Sequence, residues 1–156
     1  MREPRSGHLK RGKAREWRIL EGSGGRRVPD AATHNLGGTE MKVRDIIKIL
    51  DAQILTEGDL DAEVKTACGS DMMSDVLAFV KDQSVLLTGL NNPQVVRTAE
   101  MMDMRCVVFV RGKAVDPTVI SLAESKEITV LMTRYRMFTA CGLLYTNGLR
   151  GGCERE

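Results

Sequence analysis

The chain has 156 residues, enough for a single domain with a hydrophobic core, and its net charge of +2 gives no overall signal for nucleic-acid binding. It contains no apolar run near the ~20 residues that a transmembrane helix needs, and its basic N-terminus lacks the apolar segment of a secretory signal. The four cysteines form no C-x-x-C pair, which disfavours a zinc site or a disulfide framework and favours a reducing compartment. This composition predicts a cytoplasmic protein with neither nucleic acid nor membrane as a partner.

Residues 1–40 differ from the rest of the chain in charge and composition. They hold nine of the 23 basic residues, five of the 21 acidic ones and seven of the 15 glycines, without helical or strand periodicity. We therefore expect a disordered basic leader; the alternative is a basic arm that contacts nucleic acid or a membrane. Gly37-Gly38 can be encoded by a ribosome-binding sequence shortly before the codon of Met41. Translation that starts at Met41 is therefore a further hypothesis.

The chain from Met41 onward alternates between helical and extended patterns. Apolar residues recur at the spacing of one helix face directly after Met41. Ser70 and Asp71 precede a second such pattern and are predicted to cap its helix. The predicted elements are, in chain order, helix 43–50, strands 52–55 and 63–68 around a turn at Gly58-Asp59, a capped helix within 70–80, and buried strand 84–88.

An internal repeat follows, in which VLLTGLNNPQVVRTAEMMDMRCVV aligns with VVFVRGKAVDPTVISLAESKEITVL. Each copy has an apolar strand, a glycine-containing loop, Asn or Asp before Pro, and a second strand. Asn92 and Asp116 are predicted helix N-caps, because a proline fits the first helical position that follows each of them. The connections are too long for hairpins, so the repeat predicts consecutive parallel strands with right-handed crossovers.

A final helix over 134–147 completes the predicted elements, and Asn147-Gly148 is typical of a helix end. The fold class is therefore α/β: a small sandwich with a largely parallel sheet of four or five strands, built from consecutive βα units with helices on both faces. The predicted organisation is a leader over 1–40, the α/β domain over 41–150 and a flexible tail over 151–156.

Four segments of this domain resemble stand-alone DRTGG-domain proteins of bacteria and archaea: VKTACGSDMMSDVLAFV, VLLTGLNNPQVVRTAEMMDM, VVFVRGK and MFTACGLLYTNGL. The resemblance implies an α/β sandwich and an accessory, regulatory or dimerisation role. Family members occur fused to CBS-pair pyrophosphatases and look like the non-catalytic N-terminal part of HPr kinase. The name-giving Asp-Arg-Thr-Gly-Gly pattern is not intact in this sequence. Its nearest matches are Thr88-Gly89 and Val96-Arg97-Thr98, and Arg111-Gly112-Lys113 replaces a second Thr-Gly-Gly turn.

The sequence lacks the residue patterns of several enzyme classes. No G-x-x-x-x-G-K-[ST] loop is present, so a kinase active site is not predicted. No histidine follows residue 40, which excludes Ser-His and Cys-His pairs and histidine zinc sites within the domain. Cys68, next to a helix start, is either an activated thiol or, as we favour, a small residue that closes a strand. Asp71 and Asp75 are either a metal or acid–base pair or, as we favour, a cap and a solvated carboxylate.

The carboxyl edge of the predicted sheet is the candidate ligand site, because parallel α/β folds bind ligands where strands end and helices begin. Four loops converge there: 69–70, 88–92, 111–113 and 133–136. Their hydroxyl and amide groups, helix N-termini and basic side chains favour an anion such as a nucleotide. The alternative is that the asparagines only shape a turn and the arginines, Arg136 included, are solvated. The predicted ligand-binding residues are Ser70, Thr88, Gly89, Asn91, Asn92, Arg111, Lys113, Thr133 and Arg134.

Paired methionines predict a second functional surface. They lie on two predicted helices, and a helix with one sheet-facing stripe cannot bury both members of a pair equally. These methionines are Met72, Met73, Met101, Met102 and Met104. The exposed members would form an adaptable surface for self-association or for a partner enzyme, whereas loose core filling is the alternative.

The sequence therefore predicts a regulatory module without catalytic residues, metal or cofactor, which forms a homodimer and senses an anionic small molecule. A structural dimerisation or partner-binding module without a ligand is one alternative. A phosphate-handling enzyme related to HPr kinase is the other, and the missing phosphate loop disfavours it.

Overall fold

The computed structural model describes residues 40–80 and 83–152. All of these residues fall within one compact unit of the chain. The predicted leader, except for Glu40, lies outside the described residues, and so does the predicted tail after Gly152.

A six-stranded sheet with the strand order β2-β7-β6-β5-β4-β8 forms the centre of the domain. Strands β4 to β7 run parallel to one another, β8 is parallel to β4 at one edge, and β2 is antiparallel to β7 at the other. A separate two-stranded ribbon pairs β1 with β3. The strands are β1 (Met41–Lys42), β2 (Gln53–Thr56), β3 (Glu63–Val64), β4 (Thr66–Gly69), β5 (Ser84–Thr88), β6 (Cys106–Phe109), β7 (Thr129–Met132) and β8 (Arg150–Gly151).

Helices connect these strands and cover both faces of the sheet, which confirms the predicted α/β sandwich. Helices α2, α3 and α4 pack on one face and α1 and α5 on the other, with a separate hydrophobic core in each layer. Alternate residues of β5 illustrate the arrangement, because Leu86 enters the first core whereas Val85 and Leu87 enter the second. The helices are α1 (Val43–Ile49), α2 (Met73–Phe79), α3 (Pro93–Met101), α4 (Pro117–Ser125) and α5 (Met137–Thr146).

The internal repeat forms the two parallel units β5-α3-β6 and β6-α4-β7, as predicted. The side chain of Asn92 accepts a hydrogen bond from the backbone N–H of Gln94, and that of Asp116 accepts one from Thr118. Both predicted N-caps are therefore confirmed. The sequence predicts these caps correctly because each cap residue and the proline that follows it lie within one helical turn.

The two short strands predicted before the first parallel strand both exist, but they do not pair with each other. Strand β2 lies at the far edge of the sheet beside β7. The predicted strand 63–68 divides at Lys65 into β3, which joins the small ribbon, and β4, which joins the main sheet. The sheet therefore has six strands instead of four or five, because β2 and β8 extend its edges through contacts distant in sequence.

The predicted caps of the second helix are wrong. Helix α2 has Met72 at its N-cap position, and no side chain caps it. The hydroxyl of Ser70 instead accepts a hydrogen bond from the backbone N–H of Met72 in a local turn. Asp71 turns towards the end of the neighbouring strand β5, where its carboxylate has other donors.

Helix α5 begins at Met137, three residues later than predicted, and ends at the predicted Asn147-Gly148 pair. Gly148 has a φ of +104°, the left-handed conformation that favours glycine after a helix. The delayed start has a tertiary cause: the carbonyls of Thr133 and Tyr135 accept hydrogen bonds from the backbone N–H groups that follow β6. Residues 133–136 are thereby held as a turn.

The β2–β7 edge depends on one buried hydroxyl. The pairing shifts register at Thr56, and the Thr56 hydroxyl fills the gap. It donates to the carbonyl of Ile128 over 2.7 Å and accepts from the N–H of Val130 over 3.0 Å. Thr98 on α3 is also fully buried, but its hydroxyl has no hydrogen-bond partner among the described residues.

This contrast yields a prediction for a matched pair of substitutions. Thr56→Val keeps the side-chain shape but leaves a buried carbonyl and N–H unpaired, so the free energy of unfolding should fall by about 1–3 kcal/mol. Thr98→Val replaces an unpaired hydroxyl with a methyl group and should leave the stability unchanged or raise it. Urea denaturation followed by circular dichroism measures both. Equal losses in the two variants would contradict the assigned role of Thr56.

Candidate functional site

The loops that follow β4, β5, β6 and β7 meet at one edge of the sheet, because these four strands are parallel. Ser70 follows β4, Gly89 follows β5, Arg111 follows β6 and Thr133 follows β7. This is the carboxyl edge, where the sequence predicted the ligand site. Its geometry is dominated by a residue that was not among the predicted ligand-binding ones.

The carboxylate of Asp71 accepts hydrogen bonds from two neighbours on the next strand. The backbone N–H of Gly89 donates to Oδ1 over 2.6 Å, and the hydroxyl of Thr88 donates to the same oxygen over 3.0 Å. The guanidinium of Arg111 lies 3.5 Å from Oδ2. Three donors from two loops therefore converge on a single carboxylate at the strand ends. We call Asp71, Thr88, Gly89 and Arg111 the edge cluster.

These contacts change the acidity of Asp71. The Gly89 N–H holds the pKa of the Asp71 carboxyl below its ordinary value of 3.8. Partial burial opposes this effect, while the Thr88 hydroxyl and the positive charge of Arg111 reinforce it. The net direction is downward, so the edge cluster is built around an ionised carboxylate.

The backbone fixes the position of Arg111. Arg111 and Gly112 have φ angles of +75° and +61°, and the left-handed conformation costs about 1–2 kcal/mol for a residue with a side chain. The N–H of Arg111 donates to Tyr135 over 2.8 Å and that of Gly112 donates to Thr133 over 2.9 Å, which offsets the cost. The Arg111 guanidinium then lies directly against Gly89, where any side chain would overlap it. A side chain at position 89 would therefore displace the Arg111 guanidinium from its place beside Asp71.

Several of the predicted site residues shape the loops. Asn91 donates from Nδ2 to the carbonyl of Ala114 and accepts at Oδ1 from the N–H of Asp116, so it joins the β5 and β6 loops. Asn92 caps α3. The Thr133 hydroxyl is buried and donates to the carbonyl of Leu50 over 2.7 Å. The hydrogen bonds of these side chains hold the loops at the carboxyl edge in a defined conformation.

The basic residues at the same edge are exposed. Lys113, Arg134 and Arg136 all have exposed side chains, and none has an ion pair with another described residue. The Cα atom of Arg134 is close to Gly112, which puts Arg134 beside the edge cluster. Asp71 balances the charge of Arg111, and Asp116 in the β6 loop balances one of the three other cations, so these residues still leave this edge with a net positive charge.

The structure agrees with the favoured interpretation of the acidic pair for Asp75 but not for Asp71, which is no cap. Asp75 is exposed in the first turn of α2, whereas Asp71 belongs to the edge cluster. Within the described residues, no group of three or more His, Cys, Asp or Glu side chains is arranged to hold a metal ion. No helix in the same part of the chain is long and apolar enough to cross a membrane.

Asp71 is the functional candidate that sequence reasoning missed. Ser-Asp before a helical pattern is a typical N-cap signature. The sequence pattern therefore favoured a capping role for Asp71 over a role at the sheet edge. The position of Asp71 could have indicated its role, because it comes two residues after Gly69, at which β4 ends. An acidic residue there faces the donors of the next parallel strand.

Comparison with known families and structures supports the family resemblance. The family described as DRTGG domain matches residues 45–146, which confirms the resemblance seen in the sequence. A similar solved structure comprises the CBS and DRTGG domains of the regulatory region of Clostridium perfringens pyrophosphatase, complexed with its activator diadenosine tetraphosphate. The TM-score is 0.59 at 17% identity, over 67% of this chain and 46% of that chain. The similarity is one of fold, and the chain spans less than half of that structure. No curated protein matches the sequence.

The lowered pKa of Asp71 predicts a pH dependence. A carboxyl whose pKa is lower in the folded state stabilises the protein above its unfolded-state pKa, and this contribution is lost as the pH falls through the folded-state value. Wild type should therefore be more stable than Asp71→Asn at neutral pH, and the difference should shrink as the pH falls below 3.8. Thermal unfolding across a pH series measures it. A difference that stays constant with pH would show that the charge of Asp71 does not stabilise the edge cluster.

Proposed function

Because the chain belongs to the DRTGG domain family, we propose that it is a regulatory module that senses an anionic small molecule at the carboxyl edge of its sheet. The module transmits this signal to a partner enzyme or between subunits and catalyses no reaction itself. The one observation that carries the proposal is the convergence of the Thr88 hydroxyl, the Gly89 N–H and the Arg111 guanidinium on one carboxylate. That donor set suits an anion.

The surrounding charge favours a ligand with several negative groups. Lys113, Arg134 and Arg136 carry positive charge beside the edge cluster without acidic partners among the described residues. A polyphosphate could contact these side chains and the edge cluster together. The similar pyrophosphatase region was crystallised with diadenosine tetraphosphate, which makes a nucleotide polyphosphate the first ligand to test.

A non-catalytic role is supported by what the sequence lacks. It has no histidine after residue 40 and no phosphate-binding loop with the lysine and hydroxyl that phosphoryl transfer requires. Cys68, Cys106 and Cys141 form no disulfide bond with one another, which suits a reducing cytoplasm. Burial raises the pKa of Cys106 and of Cys141, so these two thiols are poor nucleophiles.

The first prediction of this proposal concerns thermal unfolding of the full chain with ATP, diadenosine tetraphosphate and inorganic pyrophosphate. A ligand at about 100 times its dissociation constant adds ~2.7 kcal/mol to the stability. At about 2.1 cal/mol/K of unfolding entropy per residue, the midpoint should rise by roughly 8–12 °C. Arg111→Ala and Arg134→Ala should each reduce the shift, because both remove a cation from the binding edge.

Arg105→Ala provides a matched control. Arg105 is also an exposed arginine with one acidic partner, Asp103, but it precedes β6 whereas Arg111 follows it. It therefore lies at the opposite edge of the sheet, and its loss should leave the ligand shift intact. A panel without any shift would contradict the proposed ligand site. Turnover of ATP by the pure protein would support the related phosphate-handling enzyme instead.

A second candidate function, self-association without a ligand, is supported by the surface of α5. None of its ten residues is charged. Phe138 is 91% exposed and Tyr145 is 56% exposed, and the four- and three-residue spacings through Gly142 put all three on one helix face. No described atom lies within 4 Å of a Cβ added at Gly142, so another helix could approach closely there. We propose that α5 pairs with its counterpart across a two-fold axis.

The methionine surface predicted from the sequence is the competing interface. Met72 and Met101 are exposed whereas Met73 is buried, as expected for paired methionines on one-faced helices. They lie on the opposite helical layer from α5. Two lysine substitutions therefore distinguish the two interfaces.

Phe138→Lys should convert a dimer into a monomer, because two lysines would meet across the axis, whereas Met101→Lys should leave the dimer intact. Sedimentation velocity at several protein concentrations measures both. Dissociation by Met101→Lys alone would assign the interface to the methionine surface. A monomeric wild type at every concentration would contradict self-association.

A further inference from the structure

We propose that the Asp71 carboxylate is an internal substitute for the ligand, and that a phosphate group binds the edge cluster by displacing it. This inference rests on the proposed anion site and adds a ligand class and a mode of regulation to it. The unliganded site is then closed by the protein's own acidic side chain.

The contacts of Asp71 are those that a bound phosphate would make. Oδ1 receives the Gly89 N–H and the Thr88 hydroxyl, and Oδ2 faces Arg111. A backbone N–H, a hydroxyl and a guanidinium are together a common donor set for phosphate oxygens. Asp71 therefore occupies the donors around which the anion site is built, and ligand and carboxylate exclude each other.

The carboxylate can leave while the backbone donor of Gly89 stays in place. Its side chain is 52% exposed and that of Arg111 is 43% exposed, so the ion pair at 3.5 Å is open to solvent. Exposed ion pairs of this kind contribute little to stability. The N–H of Gly89 is part of the backbone at the end of β5, and the backbone of Arg111 is fixed by its hydrogen bond to Tyr135. A rotation of the Asp71 side chain thus frees the Gly89 N–H in place and leaves the exposed Arg111 guanidinium without this acidic partner, available to a ligand.

The exchange favours phosphate over carboxylate ligands. A carboxylate ligand would make only the contacts that Asp71 already makes. Asp71 has the advantage, because it is covalently attached to the chain and a free ligand loses more entropy when it binds. A phosphate has more charge and more acceptor oxygens, and a polyphosphate extends far enough to meet Arg134 and Lys113 as well. The site therefore selects phosphate-containing ligands, and simple carboxylates fail to displace the internal group.

Displacement has a consequence for α2. Asp71 lies in the linker between β4 and α2, and its contacts tie that linker to β5 and to the β6 loop. The backbone N–H of Ser70 in this linker still donates a hydrogen bond to the carbonyl of Leu87. The contacts of the Asp71 side chain are lost when the ligand binds. Ligand binding is thereby coupled to the start of α2, where Met72 is exposed to a partner.

The test uses the full 156-residue chain and inorganic pyrophosphate, with binding measured by isothermal titration calorimetry at fixed ionic strength. Asp71→Asn removes the competing charge and Asp71→Ala removes the competing group altogether. Both should bind pyrophosphate about tenfold more tightly than wild type, the factor expected for losing one charge-assisted hydrogen-bond competitor. Adding Arg111→Ala to Asp71→Asn should abolish the gain.

Asp75→Asn is the matched control, because it removes one negative charge from the same segment at an exposed position in α2. Its affinity should equal that of wild type. An equal gain in pyrophosphate affinity in Asp75→Asn would show that the effect depends only on net charge, and it would overturn the proposal. If wild type binds through Arg111 but the Asp71 variants bind no better, the internal substitute is refuted and the anion site stands. If all variants fold, judged by circular dichroism, and none binds, both proposals fail.

Discussion

Burial of β5 and β6 on both faces is the constraint on which the rest of the domain depends. Every residue of both strands is buried, and successive side chains enter different cores. Such strands have no solvent face, so helices must cover both sides of the sheet. Fully burying one Val or Leu contributes roughly 1.5–3 kcal/mol, and a polar side chain within these strands would forfeit that gain. Polar chemistry is therefore confined to the strand ends.

The polar groups that this confinement leaves at the carboxyl edge form the edge cluster. The parallel direction of β4 to β7 brings four loops together, and hydrogen bonds among the loops then give each one a fixed form. Asn91 joins the loops after β5 and β6, and the backbone of Arg111 and Gly112 joins the loop after β6 to the turn after β7. Rigidity of this kind lowers the entropic cost of holding a ligand, because the donors are already positioned.

The sequence predicts the local features of this fold well and the nonlocal ones poorly. Asn92 and Asp116 were assigned correctly as caps, because each interaction spans two residues. Asp71 was assigned wrongly as a cap, since its partner Gly89 lies 18 residues away on another strand. Thr133 was predicted to face a ligand, yet its hydroxyl bonds to Leu50, 83 residues distant. Which edge of the sheet an element joins depends on such contacts, and no local pattern encodes them.

The edge cluster also brings together residue types that are far apart in the sequence. The contiguous Asp-Arg-Thr-Gly-Gly order is absent from the chain, but all of its residue types meet at the carboxyl edge. Thr88 and Gly89 come from the β5 loop, Arg111 and Gly112 from the β6 loop, and Asp71 from the β4 linker.

The residues of the edge cluster can come from separate loops because their interactions depend on distance in space and not on order in the sequence. The Asp71 carboxylate accepts from donors of other loops, the Arg111 guanidinium lies against Gly89 beside its acidic partner, and Gly112 permits the left-handed turn that follows Arg111. None of these contacts between loops depends on adjacency in sequence. A search for a contiguous pattern would therefore overlook the edge cluster, whereas the parallel sheet puts Thr88, Gly89 and Arg111 around the Asp71 carboxylate.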